Sequence, residues 1–366
     1  MMERDEQYIK LAIDMAKPTV GQTSPNPAVG AVVVKDNEVV GLGVHIKAGE
    51  AHAEVNALKM AGDKAAGATI YVTLEPCSHY GKTPPCAQAI IDAGMKRVVI
   101  ASSDPNPQVA GRGVKMLENA GIEVVTGVLK EQADHLNTDF FHYIETGTPY
   151  VFLKTAMTLD GKIATSSGES KWITGEAARN DGHNYRRRCD AILVGVQTVI
   201  NDDPKLTTRI EGNGKNPIRI ILDNHLRTPL SSQLLQNDEA PTWIITSSRV
   251  SPHQLKAYRS KGHVEVISLK SPAIKIAEVL SYLGEKEVTS LLVEGGGTIA
   301  DAFVRAGKIN ELITYIAPKL LGGKNALTPV EGKGFEQLKQ ALDLRIQSTE
   351  MVGEDIKLTA IPKGRT

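Results

Sequence analysis

Little in this chain stands out by amount. Its 366 residues include three cysteines, too few for a disulfide framework. Aromatic residues make up 4%, leaving few rings on which bases could stack. Lysine plus arginine and aspartate plus glutamate number 42 each, so the formal charge is zero and no global field favours nucleic acid, a membrane surface or an acidic partner. No apolar run approaches the ~20 residues needed to span a bilayer. The opening stretch, Met1 to Lys10, is polar and charged, unlike a secretory signal. What remains is an ordinary globular composition, 41% hydrophobic and 23% charged, at a length that suggests about two domains. A cytoplasmic enzyme is the plain expectation.

Hydrophobic periodicity divides the chain near Gly147-Thr148-Pro149, giving expected domains at residues 1–147 and 148–366. The first reads as strands at Ala28 to Val34, Glu38 to Val44, Ala68 to Leu74, Arg97 to Ala101 and Ile122 to Val125, with Asp36-Asn37 as a turn. Helices are expected from near His52, over Cys86 to Ala93, over Val114 to Ala120 and over Lys130 to Tyr143. The second reads as strands at Tyr150 to Thr155, Ala191 to Val196, Ile218 to Leu222, Trp243 to Thr246, Val264 to Ser268 and Ser290 to Val293. Helices at Gly175 to Arg188, Pro252 to Lys261, Pro272 to Leu283 and Ile299 to Ala306 intervene. Alternation of this kind predicts two α/β units with parallel strands.

The chemistry concentrates in His52-Ala53-Glu54, Pro76-Cys77 and Pro84-Pro85-Cys86. His52, Cys77 and Cys86 are three zinc-type ligands, and Glu54 is a carboxylate not needed as a fourth. Structural zinc is normally closed by four protein ligands, whereas catalytic zinc keeps a position for water. His-x-Glu with a later Pro-Cys and a second cysteine is the pattern of zinc deaminases, with the glutamate as general acid and base. Two residues separate the cysteines in that pattern, but eight do here. His52 and Glu54 are two apart and would point ~200° apart within a helix, so His52 must lie at the helix entry. The bland alternatives are a buried cysteine acting as a small hydrophobe, or a structural zinc with His79 as fourth ligand, which would leave Glu54 without a purpose. In the second segment, Glu294-Gly295-Gly296-Gly297 stands between a strand and a helix. That arrangement can cradle phosphate, but it is not the Gly-x-Gly-x-x-Gly dinucleotide fingerprint.

The run Thr73-Leu74-Glu75-Pro76-Cys77-Ser78-His79-Tyr80-Gly81-Lys82-Thr83-Pro84-Pro85-Cys86, with Asp104-Pro105-Asn106-Pro107 after it, resembles the deaminase half of the bifunctional riboflavin-biosynthesis deaminase/reductase family. Lys154 to Ala164, Ser170 to Gly175 and Asn201 to Arg209 resemble the reductase half. The resemblance covers essentially the whole chain. It implies a cytidine-deaminase-like three-layer domain holding one zinc, then a dihydrofolate-reductase-like domain using NADPH. The implied substrate is a phosphoribosyl diaminopyrimidinone, first deaminated and then reduced at its ribosyl group. Asn26, His45, His79, Lys82, Asp104 and Asn106 would line the deaminase pocket. Ser170, Arg186, Leu206, Arg209 and Glu294 would contact the reductase substrate, with Arg186 and Arg209 able to hold its phosphate. Ala156, Trp172, Thr174, Thr198, Asp202, Asn224, Gly295, Gly296 and Gly297 would contact NADPH. Lys154 and Asp202 would polarise or protonate the sugar. Met157-Thr158 stands where a serine often precedes Leu-Asp-Gly in the family, a mild difference.

Cys189, His142 and His183 read as structural. No nucleic-acid or membrane partner is expected, and self-association into a homo-oligomer is. Two other classes compete: a nucleic-acid-modifying deaminase, which would want a basic, aromatic surface, and a zinc-stapled regulatory protein that binds a nucleotide without turnover.

Overall fold

The computed structural model describes residues 2–78, 84–106, 110–210, 214–258 and 261–364. The chain forms two compact units, Met1–Gly147 and Thr148–Thr366.

In the first unit, strands β1 (Gly30–Lys35), β2 (Glu38–Val44), β3 (Thr69–Leu74), β4 (Arg97–Ser102) and β5 (Glu123–Thr126) form one sheet in the order β2-β1-β3-β4-β5. The sheet is mixed where parallel strands were expected. β1 pairs antiparallel with β2 and β3, while β3, β4 and β5 run parallel. The reason is local: Asp36 and Asn37 both take left-handed backbone, φ 50° and 67°, which is the turn that folds two strands into a hairpin. The helices are α1 (Met2–Ala16), α2 (Ala53–Ala61), α3 (Cys86–Asp92), α4 (Arg112–Asn119), α5 (Lys130–Leu136) and α6 (Thr138–Thr146).

Alternate side chains of β1 go to opposite faces, as the two-residue period of a strand dictates. Ala31 and Val33 pack in the core that includes α2, α3 and α4, and Val32 and Val34 in the core that includes α1 and α5. Three layers result. The single helix expected over Lys130 to Tyr143 is broken at Asn137, whose buried amide accepts from Ala28 N–H at 2.8 Å and donates to Ala28 O at 3.0 Å. That clamp takes the residue out of helical backbone, φ −118° and ψ 26°.

The second unit has strands β6 (Tyr150–Thr158), β7 (Ala191–Gly195), β8 (Ile218–Leu222), β9 (Thr242–Thr246), β10 (Val264–Ser268), β11 (Ser290–Val293), β12 (Glu311–Ala317), β13 (Leu344–Val352) and β14 (Asp355–Pro362). They form one sheet ordered β10-β9-β8-β7-β11-β6-β12-β14-β13. Everything from β10 to β12 is parallel, and the β13–β14 hairpin closes the edge antiparallel. The helices are α7 (Glu176–Arg188), α8 (Val196–Asp202), α9 (Gln233–Gln236), α10 (Pro252–Lys256), α11 (Ile276–Glu285) and α12 (Gly297–Arg305). α7, α8 and α9 contribute to the core on one face of the sheet, and α11 and α12 to that on the other. Near-continuous apolar strands such as Ala191–Gly195, buried throughout, are what a parallel sheet covered on both faces requires.

Candidate active sites

The first site lies where β3 ends and α2 and α3 begin. His52 is the residue before α2, with extended backbone (φ −71°, ψ 163°), so its ring leaves the helix direction and can meet the side chain of Glu54. Two glycines make room. A Cβ on Gly43 would lie 2.0 Å from Ala53 O, and one on Gly41 would lie 2.2 Å from Ala57 O, so α2 rests directly on β2. Cys77 follows β3, and Cys86 opens α3.

The donor atoms of His52, Cys77 and Cys86 all lie within 4.8 Å of one another. His52 Nδ1 is 3.2 Å from Cys86 Sγ and 3.8 Å from Cys77 Sγ. Tetrahedral zinc, with bonds of about 2.3 Å to sulfur and about 2.0 Å to nitrogen, sets N···S edges of about 3.5 Å, which these distances bracket. The donor set fits zinc. Cys77 Sγ also accepts the backbone N–H of Cys86 at 3.2 Å, a contact that favours thiolate. Hydrogen bonds from Cys86 and His52 hold the Cys77 thiol below the usual range, while Cys86, donating to it, is pushed up.

Glu54 is 4% exposed and lines a cavity of 240 Å³ together with His52 and Cys77. Burial pushes its carboxyl up to about 7, the range in which a group both takes and returns a proton. His45 is buried beside His52, ring centroids 5.2 Å apart. Its Nδ1 stands 3.2 Å from Ala51 O and its Nε2 3.2 Å from Asn26 Nδ2. With Nδ1–H donating to the carbonyl, Nε2 accepts from the asparagine, and the ring is neutral, as burial also favours. Asn26, His45, Asp104 and Asn106 all line the cavity. His79 and Lys82 lie outside the described residues. The cavity also takes in Glu75 and Phe140, neither singled out from the sequence. Phe140 sits on α6, more than fifty residues beyond Cys86, and nothing in an amphipathic helix marks which aromatic faces a pocket.

The second site lies at the carboxyl ends of the parallel strands, where open α/β sheets bind ligands. The register Leu153↔Val293 puts Lys154 next to Glu294. These two, with Thr155, Ala156, Ile163, Gly295 and Pro329, line a cavity of 120 Å³. The Lys154 ammonium stands over the ring of Tyr315, 5.6 Å from its centroid. Arg186 on α7 forms a forked pair with Glu294, Nη2–Oε2 2.7 Å and Nε–Oε1 3.1 Å, and donates through Nη1 to Thr207 O at 3.1 Å. Burial alone would raise the Glu294 carboxyl, but the charges of Arg186 and Lys154 outweigh it and bring it to about 2.

Arg209 is exposed, and its backbone N–H donates to Nδ1 of His183 at 3.3 Å. His183, read from the sequence as structural, stands beside this cluster. Burial and the neighbouring Arg186 and Arg209 hold its imidazole at about 4, hence neutral. Leu206 is buried on the same segment.

Trp172 is exposed beneath the Arg179 guanidinium, 4.5 Å from the ring centroid, and Thr174 is buried, its carbonyl held by Arg179. Ser170 precedes them, half-buried. Thr198 is on α8, and Asp202 ends α8, exposed and not among the residues lining the Lys154 cavity. Asn224 follows β8, and its Oδ1 accepts from Ile274 N–H at 2.9 Å. At Gly295 and Gly297 a Cβ would strike Ile299 and Glu331, whereas at Gly296 it would meet nothing within 4 Å. Gly296 caps α12, so open space lies at a helix N-terminus, which suits a dinucleotide phosphate.

Residues 2–102 match the family model of the cytidine and deoxycytidylate deaminase zinc-binding region, and residues 149–358 that of the RibD C-terminal domain. With the two sites above, this makes the protein a bifunctional zinc deaminase and reductase. The riboflavin biosynthesis protein RibD of Bacillus amyloliquefaciens is 51% identical over 359 residues, 98% of this chain and 96% of that protein. Among solved structures, Acinetobacter baumannii RibD superposes with a TM-score of 0.89 at 41% identity, covering 99% of this chain and 100% of that one. The Thermotoga maritima diaminohydroxyphosphoribosylaminopyrimidine deaminase/5-amino-6-(5-phosphoribosylamino)uracil reductase superposes with a TM-score of 0.88 at 36% identity, covering 99% of each chain. The chain belongs to the RibD family of riboflavin biosynthesis proteins.

Proposed function

We propose that residues 1–147 hydrolytically deaminate 2,5-diamino-6-(5-phosphoribosylamino)pyrimidin-4-one, and that residues 148–366 use NADPH to reduce the ribosyl group of the resulting 5-amino-6-(5-phosphoribosylamino)uracil to ribityl. One observation carries the first step: a buried carboxyl, Glu54, lines the same cavity as His52 and Cys77, two members of a His–Cys–Cys donor set that fits zinc. His52, Cys77 and Cys86 hold the metal, which when bound supplies a Lewis acid able to bring the pKa of water to about 7. Glu54 takes a proton from the attacking water and passes it to the departing ammonia. The neutral His45, held between Ala51 O and Asn26, fixes one wall. Asp104, Asn106, His79 and Lys82 contact the polar edge and phosphoribose, and the Phe140 ring offers a flat face to the pyrimidine.

In the second site, NADPH supplies the hydride. Lys154, beside Glu294 and over Tyr315, delivers the proton that the opened sugar needs as its C1′ is reduced. The Arg186 fork is engaged by Glu294, so Arg186 orients the carboxylate, and the exposed Arg209 takes the phosphate. Ser170 and Leu206 complete the substrate wall. Ala156, Trp172, Thr174, Thr198, Asp202, Asn224 and Gly295 to Gly297 form the cofactor side. Asp202, at the end of α8 and not among the residues lining the Lys154 cavity, acts at that side. A chain with only three cysteines, two of them in the metal donor set, fits a reducing compartment and supports a cytoplasmic location. The edge strand β13, with Ile346 and Met351 60% and 63% exposed, supports assembly into a homo-oligomer.

One incubation of the purified chain with the diaminopyrimidine ribotide tests the order of events. Ammonia is released without NADPH, and NADPH is then oxidised when added. Oxidation of NADPH before any ammonia release would reverse the order, and no ammonia at all would refute the substrate.

A further inference from the structure

We propose that Glu75 is a positioning residue of the deaminase site, a latch that fixes the loop bearing Asp104 and Asn106 against the turn bearing Cys77. Glu75 directly follows β3 and is 4% exposed. Its backbone N–H donates to Ser102 O at 2.9 Å, at the end of the neighbouring strand β4. Its side chain gathers four backbone donors. Oε1 accepts from Gly113 N–H at 3.0 Å and Val114 N–H at 3.4 Å. Oε2 accepts from Gly111 N–H at 3.0 Å and Asp104 N–H at 3.5 Å.

These donors come from both ends of the 104–114 segment. Asp104 carries the order onward, since its Oδ1 accepts Asn106 N–H at 2.8 Å, and Asn106 O accepts Ala110 N–H at 2.8 Å. At the far end, Gly111 precedes α4 in left-handed backbone, φ 72°, and has no side chain with which to cap the helix. Helix entries leave their first N–H groups without partners inside the helix, and Glu75 satisfies these from another part of the chain. Gly113 shows how close the fit is: a Cβ there would lie 2.1 Å from Pro76 O and 3.2 Å from Glu75 Oε1. The start of α4 therefore rests on the peptide group immediately before Cys77. The Gly111-Arg112-Gly113 sequence, which neither reaction uses, is explained by this contact.

A carboxylate suits the task because both its oxygens accept. A glutamine would turn an NH₂ group toward backbone N–H donors. The distance between the Cys77 turn and the Asp104–Asn106 loop is a dimension of the pocket, so Glu75 acts on substrate binding through Asp104 and Asn106. This rests on the reading of those two residues as substrate contacts.

The test uses the full zinc-loaded chain and measures ammonia release from the diaminopyrimidine ribotide for E75Q, G113A and D104N. Metal content, and NADPH oxidation with deaminated substrate, are followed in parallel. E75Q is expected to raise KM about tenfold or more, with kcat within about threefold, since charge-assisted hydrogen bonds are lost without touching the reacting atoms. Zinc stays at one per chain and the reductase rate is unchanged. G113A, which pushes at the same junction from the loop side, shifts KM in the same direction and carries the test alone if E75Q is insoluble. An unchanged KM in E75Q and G113A, or loss of zinc with kcat falling at constant KM, overturns the latch. D104N separates the two ideas. If it raises KM while E75Q and G113A do not, the latch alone fails; if none of the three moves KM, the substrate reading of the loop fails with it.

Discussion

Replacing Arg186 by methionine removes the forked partner of a buried carboxylate while keeping a side chain of similar length. Glu294 is brought from an ordinary 4.5 to about 2 by Arg186 and Lys154, against burial that would raise it. That difference of roughly 2.5 units corresponds to about 3 kcal/mol of native-state stability at neutral pH. The sign follows from the depressed value: the contribution is fully present above the unfolded pKa near 4.5 and is lost as pH falls through about 2. In R186M the carboxylate stays buried without its fork, so the loss is expected to be about 3–5 kcal/mol at pH 7.

The deficit shrinks as pH drops below the carboxylate range and Glu294 protonates. Both tryptophans, Trp172 and Trp243, lie in the second unit, so their fluorescence during urea unfolding of the intact chain reports on that unit. R186M, E294Q and the double variant form a cycle. The double variant is expected to be less destabilised than the sum of the singles by at least about 1 kcal/mol. Additive single effects, or an R186M deficit that grows toward acid pH, would refute the electrostatic argument.

Three further outcomes follow from the sites. Glu54→Gln should lower ammonia release by about 10²–10⁴-fold, the usual scale for a lost general acid–base, with zinc content unchanged and NADPH oxidation intact on deaminated substrate. Phe140→Ala should raise the deaminase KM by about tenfold, since a lost stacking face is worth about 1–3 kcal/mol; a fall in kcat alone would assign the ring another task. Removing zinc with a chelator should abolish ammonia release while leaving NADPH oxidation of the deaminated substrate unaffected, and re-adding zinc should restore it.

The deaminase site was largely legible because its chemistry is written in residue types with few other uses. His-x-Glu beside two Pro-Cys pairs names donors and a spare carboxylate without any coordinates, and the need for His52 to stand outside the helix follows from helix geometry. Glu75 and Phe140 were not legible. Glutamate after a strand and phenylalanine in a helix are common, and only the fold shows that one gathers four backbone N–H groups and the other faces the cavity.

The reductase strands Ala191–Gly195 and Ser290–Val293 stand where apolar runs place them, since a covered parallel sheet leaves them no polar alternation. The β13–β14 hairpin is not legible in the sequence of its first strand, because β13 is exposed along most of its length and so lacks a buried face to impose a pattern. The pairing of Arg186 with Glu294 was likewise invisible, as 108 residues separate them and no spacing rule links α7 to the end of β11.

The metal donors come from the entry to α2, the end of β3 and the entry to α3, and His52 stands 25 and 34 positions from the two cysteines. No continuous stretch of chain holds all three at coordination distance. A peptide carrying the two cysteines would have neither the imidazole nor the sheet that presents it. Tight zinc binding is therefore a report that β1, β2 and β3 have paired and that α2 has settled on its glycines.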